Sequence, residues 1–212
     1  MFLFRSRVGL IRKFKSFPTL KRFHNFNANA TPIFTPNLSQ TPHNIELREY
    51  QLDCIESCLQ ALEENKRRIG AVLPTGSGKT VVFAHLLNQV KPRKGYGDKT
   101  LILAHRKELI LQAAKTCRSI NPDKKVGIIM SDESSATDDD DIIVASVSSL
   151  QNDQRLRALN PKDFKLIIVD EAHHAVTNSY LRVFNHFDVK DSNSDVAVLD
   201  FQPLYKEMMI KI

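Results

Sequence analysis

Leu73-Pro74-Thr75-Gly76-Ser77-Gly78-Lys79-Thr80 ends an apolar run, turns on two glycines and reopens as a second apolar run through Val81 and Val82. Ile69 to Leu73 reads as a short buried strand and Lys79 to Val90 has helical spacing, so Gly76 and Gly78 fall on a strand-to-helix turn. Glycine at such a turn lets successive backbone N–H groups close on an anion, and the helix that follows adds the partial positive charge of its N-terminus. Thr75, Gly76, Ser77, Gly78, Lys79 and Thr80 are therefore the candidate cradle for a nucleotide. Lys79 is expected to reach the β and γ phosphates of ATP, and the Thr80 hydroxyl to ligate Mg²⁺. The usual first residue of such a loop, Gly or Ala, is replaced by Leu73. A chance glycine turn is the competing reading, and the strand, loop and helix in the required order argue against it.

Outward from this loop, a length of 212 residues suits one α/β domain with a sizeable core and is short for two. No stretch approaches the roughly 20 apolar residues of a membrane-spanning helix, so a soluble chain without a membrane partner is expected. The net charge of +6 is unevenly spread. Seven of the 30 basic residues precede Glu46 with no Asp or Glu among them, which leaves 23 basic against 24 acidic residues in the remainder. Nucleic-acid binding by the body of the protein must then come from a local patch and not from overall charge. Cys54, Cys58 and Cys117 are too few for a disulfide framework or a four-ligand zinc site, and they fit a reducing compartment. Cys54 and Cys58, four apart on one helical face, read as small core residues.

Residues 1–30 are rich in Arg, Lys, Phe and Ser and free of acids, with Phe4, Val8 and Ile11 on one helical face. This is the pattern of a mitochondrial presequence, and matrix localisation is expected. A basic disordered arm that touches nucleic acid is the competing reading. Residues 31–44, with Pro32, Pro36 and Pro42, read as a linker. Leu47 to Leu62 then repeats apolar residues at helical spacing, and further strands are expected at 101–104, 126–130, 142–145, 166–169 and 196–199. Helices are expected at 107–120 and 148–159. The acidic run between Ser131 and Asp141 lacks the alternating spacing of a calcium loop and reads as a solvated loop. Strands alternating with helices, several of them apolar throughout, predict an α/β fold with a mostly parallel sheet covered on both faces.

Val169-Asp170-Glu171-Ala172-His173-His174 stands at the end of an apolar strand, where an open parallel sheet places its ligands. Asp170 is the candidate for the Mg²⁺ shell and Glu171 for orienting or deprotonating the attacking water. Two carboxylates are needed because one neutralises the metal while the other stays free to accept a proton. Taken alone, the Asp-Glu pair reads equally as acidic residues that complement a helix dipole. The adjacent histidines point about 100° apart on a helix, and no third metal ligand accompanies them.

Together these segments resemble the superfamily 2 helicases and translocases, in the DEAH-type branch that contains the type III restriction-like ATPases. The resemblance covers roughly residues 45–200. It implies a RecA-like P-loop domain, ATP and Mg²⁺ as cofactors, and DNA, double-stranded or branched, as partner, with RNA as the alternative. Leu47-Arg48-Glu49-Tyr50-Gln51 resembles the adenine-reading segment of the branch, which would give Gln51 the adenine contact. A residue other than Gly at the Leu73 position is common in the branch. Ala104-His105-Arg106-Lys107-Glu108-Leu109 and Ala145-Ser146-Val147-Ser148-Ser149-Leu150 resemble its two strand-end motifs that touch the nucleic-acid backbone. Arg106, Lys107, Ser146 and Ser148 are the candidates for phosphate contacts, which carry little base information. Arg106 and Lys107 read equally as solvent-facing residues at a helix start. The resemblance gives His173 a role in coupling the nucleotide site to the next motif, while His85 and His186 read as ordinary helix residues. The DEAHH run together with a presequence resembles the fungal mitochondrial DNA helicases of this branch.

In the family a Ser-Ala-Thr or Thr-Ala-Thr tripeptide follows the next strand, and a second RecA-like domain supplies arginine fingers. Here Asp200-Phe201-Gln202-Pro203-Leu204 occupies that place. The expected organisation is therefore a presequence at 1–30, a linker at 31–44, the ATP-binding domain at 45–200 and an aberrant tail at 201–212 in place of the second domain. A frameshift is the expected cause, because one set of codons for Asp-Phe-Gln-Pro-Leu reads Gly-Phe-Ser-Ala-Thr one base earlier. A domain without its arginine fingers is expected to bind ATP weakly, hydrolyse little and not unwind by itself, or to act as a non-enzymatic nucleotide-binding or nucleic-acid-binding fragment. No oligomer is expected.

Overall fold

The computed structural model describes residues 46–131, 134–170, 178–189 and 196–203. Six parallel strands among these residues form one sheet: β1 (Arg68–Leu73), β2 (Lys99–Ala104), β3 (Val126–Ile129), β4 (Ile142–Ser146), β5 (Phe164–Asp170) and β6 (Ala197–Pro203). Their spatial order is β1-β6-β5-β2-β4-β3. The parallel α/β sheet expected from the apolar runs is the sheet observed, and the helices lie on both of its faces.

Side chains alternate across a strand, so each apolar run feeds two cores at once. Ile69, Ala71, Ile102, Val144, Ile168 and Leu199 enter a first cluster with α1 (Glu49–Glu63), α2 (Lys79–Leu86) and α3 (Lys107–Ile120). Leu101, Ile143, Ala145, Ile167, Val169 and Val198 enter the second, with Tyr180, Val183 and Phe187 from α5 (Asn178–His186) and the residues beyond it. Cys54, Cys58 and Cys117 are buried and unpaired by disulfide, as small core residues. No helix among the described residues is long and apolar enough to cross a membrane.

Four segments differ from the sequence reading. The helix expected at 148–159 splits into a 3₁₀ turn at Ser149–Gln151 and α4 (Asp153–Arg157). The Asn152 side chain accepts hydrogen bonds from the N–H groups of Gln154 and Arg155 at 2.9 and 3.2 Å, which caps a new helix in the middle of the expected one. Helix α2 ends at Leu86, four residues short of Val90, and Asn88 turns its amide to the Oδ1 of Asn121. The acidic loop is only partly solvated. Asp138 and Asp139 are exposed as expected, but Asp140 is 7% exposed and accepts from Thr137 N at 2.6 Å and Thr137 Oγ1 at 3.2 Å. Asp132 and Glu133 lie outside the described residues. Strand β6 continues to Pro203, three residues past the expected domain end at 200.

Buried Asn121 and half-buried Asp200 are the polar groups whose chemistry is most open to test. Asn121, 1% exposed, donates to the carbonyls of Ala84 and Cys117 at 3.0 and 3.2 Å while accepting from Asn88, and so ties the end of α2 to the end of α3. Asn121→Ala leaves these groups unpaired and is expected to cost about 1–3 kcal/mol, read as a lower urea midpoint. Asp200 lies between Gly70 and Val169 on the face of the second cluster. Gln202 Nε2 donates to its Oδ2 at 2.6 Å, and Oδ1 has no partner among the described residues. Burial pushes this carboxyl up to about 6, against the downward pull of Gln202. The folded state therefore holds a proton that the unfolded chain releases near pH 4, so this group's contribution to stability falls as pH rises through the window up to 6. Asp200→Asn is expected to raise Tm above wild type at pH 7.5, with the gap closing below pH 4, checked by thermal melts across that range.

Candidate functional site

Every strand runs in the same direction, so the carboxyl ends share one edge, and the order β1-β6-β5 decides what meets there. Leu73 at the end of β1 pairs with Pro203 of β6, and Asp170 at the end of β5 pairs with Phe201, itself opposite Ala71. At about 4.8 Å per strand spacing, Asp170 lies roughly 10 Å across the sheet from β1. Leu166 and Ile168 enter the first cluster, and alternation puts the Asp170 carboxylate on that same face, the one covered by α2. Asp170 is 5% exposed. Phe83 of α2 packs against Phe201 at a ring separation of 5.7 Å, which fixes the helix over the strand that separates Asp170 from the glycine loop.

The loop has the geometry its composition requires. Gly76 and Gly78 take positive φ values of 75° and 77°, and Gly78 is the N-cap of α2. Ser77 N–H donates to Pro74 O at 3.2 Å, closing the turn. Lys79 and Thr80, half-buried, are the first two residues of α2, whose opening N–H groups have no intrahelical acceptors. Thr75 and Gly76 are exposed, and an open hollow of about 220 Å³ is lined by Tyr50, Pro74, Thr75, Gly76 and Ser77. A second hollow, of about 160 Å³, opens beneath the other sheet face beside Lys99 and Phe164, the first residues of β2 and β5, away from the loop.

The start of α1 closes on the same loop. Gln51 is 5% exposed, its Oε1 accepts from Arg48 N at 2.9 Å, and its Nε2 donates to Ser77 O at 2.8 Å. Tyr50 Oη donates to the same Ser77 oxygen at 2.9 Å. Sequence reading singled out Gln51 and passed over Tyr50. The available signal was a phenol at the start of a helix next to that glutamine.

The second candidate group stands on the next two strands along the edge, β2 and β4. Ala104 of β2 pairs with Ser146 of β4, and Val147 N–H donates to Ala104 O at 3.1 Å. Arg106 and Lys107 therefore leave the sheet beside Ser146 and Ser148, whose hydroxyls are 2.6 Å apart. Arg106, Lys107 and Ser148 are exposed, and Ser146 is buried beneath them. Arg106 Nε donates to His105 Nε2 at 3.1 Å. The four residues chosen from sequence thus share one patch, on the same edge as Asp170. Glu171, His173 and His174 lie outside the described residues. His85 and His186 both stand in helices, as expected. Burial pulls the His85 imidazole below its ordinary value, and His186 Nε2 contacts Leu159 O at 2.7 Å.

Among the described residues no group of three or more His, Cys, Asp or Glu is arranged to hold a metal ion. Mg²⁺ takes hard oxygen ligands, few of them from protein, and fills its shell with phosphate and water. The Thr80 hydroxyl and the Asp170 carboxylate are hard oxygen groups of the kind such an ion takes. A Cβ at position 78 would lie 2.7 Å from Gln51 Nε2 on a backbone already at positive φ. Gly78→Ala is therefore expected to displace the Gln51 contact and lower nucleotide affinity at least tenfold, measured by equilibrium titration with a fluorescent ADP analogue.

Comparison with known proteins identifies the family of the fold. The profile of the ResIII family, described as the type III restriction enzyme res subunit, matches residues 44–196. A Schizosaccharomyces pombe protein named "Putative mitochondrial ATP-dependent helicase irc3" is 45% identical over 155 residues, 73% of this chain and 25% of that protein. The "ATP-dependent DNA helicase MPH1" of Eremothecium gossypii is 31% identical over 76% of this chain and 15% of its own length. The chain thus spans about a quarter or less of the curated relatives it matches. Among solved structures, the Hef helicase domain of Pyrococcus furiosus superposes with a TM-score of 0.58 at 26% identity, covering 77% of this chain and 35% of that one. The chain belongs to the ResIII family, that of the type III restriction enzyme res subunit, and carries its RecA-like superfamily 2 fold.

Proposed function

We propose that this chain is the ATP-binding part of an ATP-dependent DNA helicase or translocase that works in mitochondria. The observation that carries the proposal is the meeting of the glycine loop of β1 and Asp170 of β5 on one edge and one face of the sheet, with a cationic and hydroxyl patch beside them. Such an edge binds a polyphosphate at one end and a sugar–phosphate backbone at the other.

In this reading the N–H groups from Thr75 to Thr80, apart from that of Ser77, which is bonded to Pro74 O, cradle the phosphates, and Lys79 neutralises the β and γ oxygens. Mg²⁺, when bound, would neutralise charge that develops on the transferred phosphoryl, with Thr80 and Asp170 as its protein ligands. Glu171, next in the chain after Asp170, orients and deprotonates the attacking water, and His173 couples the site to the following motif. The Gln51 carbonyl oxygen and one of its N–H groups are already engaged, which leaves the second amide N–H as the donor for an adenine ring nitrogen. Arg106, Lys107, Ser146 and Ser148 hold backbone phosphates, so affinity falls with salt and depends little on base sequence. The acid-free basic segment at 1–30 supports a matrix address, in line with the mitochondrial name of the S. pombe relative.

Saturable Mg²⁺-dependent binding of ATP, weakened at least tenfold by Lys79→Ala, is the expected result of titration with a fluorescent ATP analogue. Absence of saturable binding by the wild-type chain overturns the reading. Competition between branched DNA, plain duplex and RNA in salt-titrated binding assays separates the partners. A preference for RNA would assign the patch to an RNA helicase.

A further inference from the structure

We propose that Tyr50 is a positioning residue of the nucleotide site, holding the phosphate loop in its binding shape through the Ser77 carbonyl. This rests on the nucleotide-binding reading above. Ser77 stands between two glycines at positive φ, the softest stretch of backbone in the loop. Its carbonyl oxygen receives two hydrogen bonds from neighbouring residues of α1, Tyr50 Oη at 2.9 Å and Gln51 Nε2 at 2.8 Å. Both lone pairs of one oxygen are thereby used by groups 27 and 26 residues away in sequence. Arg48 Nη1 lies 3.4 Å from the Tyr50 oxygen, and as a cationic donor it leaves the hydroxyl proton to face Ser77.

The consequence follows from the planarity of the peptide bond. In a trans peptide the C=O and the following N–H point in opposite directions. Drawing the Ser77 carbonyl onto α1 therefore turns the Gly78 N–H away from α1, as a cradle donor requires. With the carbonyl released, the plane between residues 77 and 78 can rotate, because glycine at 78 opposes no such rotation. The two donors differ in what else they do. Gln51 has an amide N–H left over for a base, whereas Tyr50 spends its single proton on the loop. Loss of the Tyr50 hydroxyl should then weaken nucleotide binding without regard to the base.

The test uses the full chain with Mg²⁺ and two fluorescent probes, mant-ADP and mant-GDP. Tyr50→Phe keeps the ring, and Tm is expected to stay within a few degrees of wild type. Affinity for both nucleotides is expected to drop three- to tenfold by the same factor, and amide hydrogen exchange of the peptide spanning residues 76–80 to quicken. Gln51→Ala, in contrast, is expected to change the ratio of the two affinities. Unchanged affinities in Tyr50→Phe while wild type binds would overturn this assignment alone, as would a loss confined to mant-ADP, which would make Tyr50 a reader of the base. A wild-type chain that binds neither probe would overturn the assignment together with the nucleotide reading. Should Tyr50→Phe fold poorly, exchange of residues 76–80 in Arg48→Met, which removes the guanidinium behind the hydroxyl and keeps an unbranched stem, is expected to quicken in the same direction, and unchanged exchange would count against the clamp.

Discussion

A parallel sheet has to return its chain to the starting edge after every strand, and it has to bury both faces while doing so. That constraint shapes this molecule. The described strands all run the same way, so their six carboxyl ends lie along one edge. The glycine loop, Asp170, Arg106 with Lys107, and Ser146 with Ser148 are separated by many residues in the chain and by one or two strand spacings in space. The edge is a product of topology, and the side chains on it are what the fold leaves free to vary.

Placing β6 between β1 and β5 has a specific effect. It sets the distance between the glycine loop and the acidic strand end at two strand spacings, too wide for a direct contact. Phe201 supports α2 from beneath through Phe83, so the helix that presents Lys79 and Thr80 rests on the same strand that spaces them from Asp170. Asp200, the neighbour of Phe201 in that strand, carries a carboxyl on the opposite face at the expense of stability at neutral pH. Two adjacent residues of one strand thus pull in opposite senses, one packing the core and the other holding a charge against burial.

The strand cores were legible in the sequence because each apolar run of four or more β-branched and aliphatic residues has few alternatives to a doubly buried strand. The long helix at Lys107–Ile120 was legible from its spacing and from the Asn121-Pro122 stop. The helix expected across Asn152 was misread, since a capping side chain in mid-segment carries no apolar signature and acts only when its geometry is realised. Asp140 looked like one of several solvated acids. Asp138 and Asp139 before it are solvated, whereas Thr137 folds back to satisfy Asp140.

The amino-acid sequence by itself determined the local chemistry: a glycine turn that can cradle phosphate, a carboxylate at a strand end, cations and hydroxyls at two more, and a family pattern that links them. These are properties of short segments, where residue type and spacing act directly on backbone and charge. Only the tertiary structure decided which ends stand side by side, which face Asp170 uses, and that Tyr50 and Gln51 converge on Ser77 O. Those facts depend on strand order and on contacts between residues far apart in the chain. Hydrogen bonds of that kind leave no periodicity behind, because a single donor meeting a single distant acceptor imposes no pattern on the residues between them.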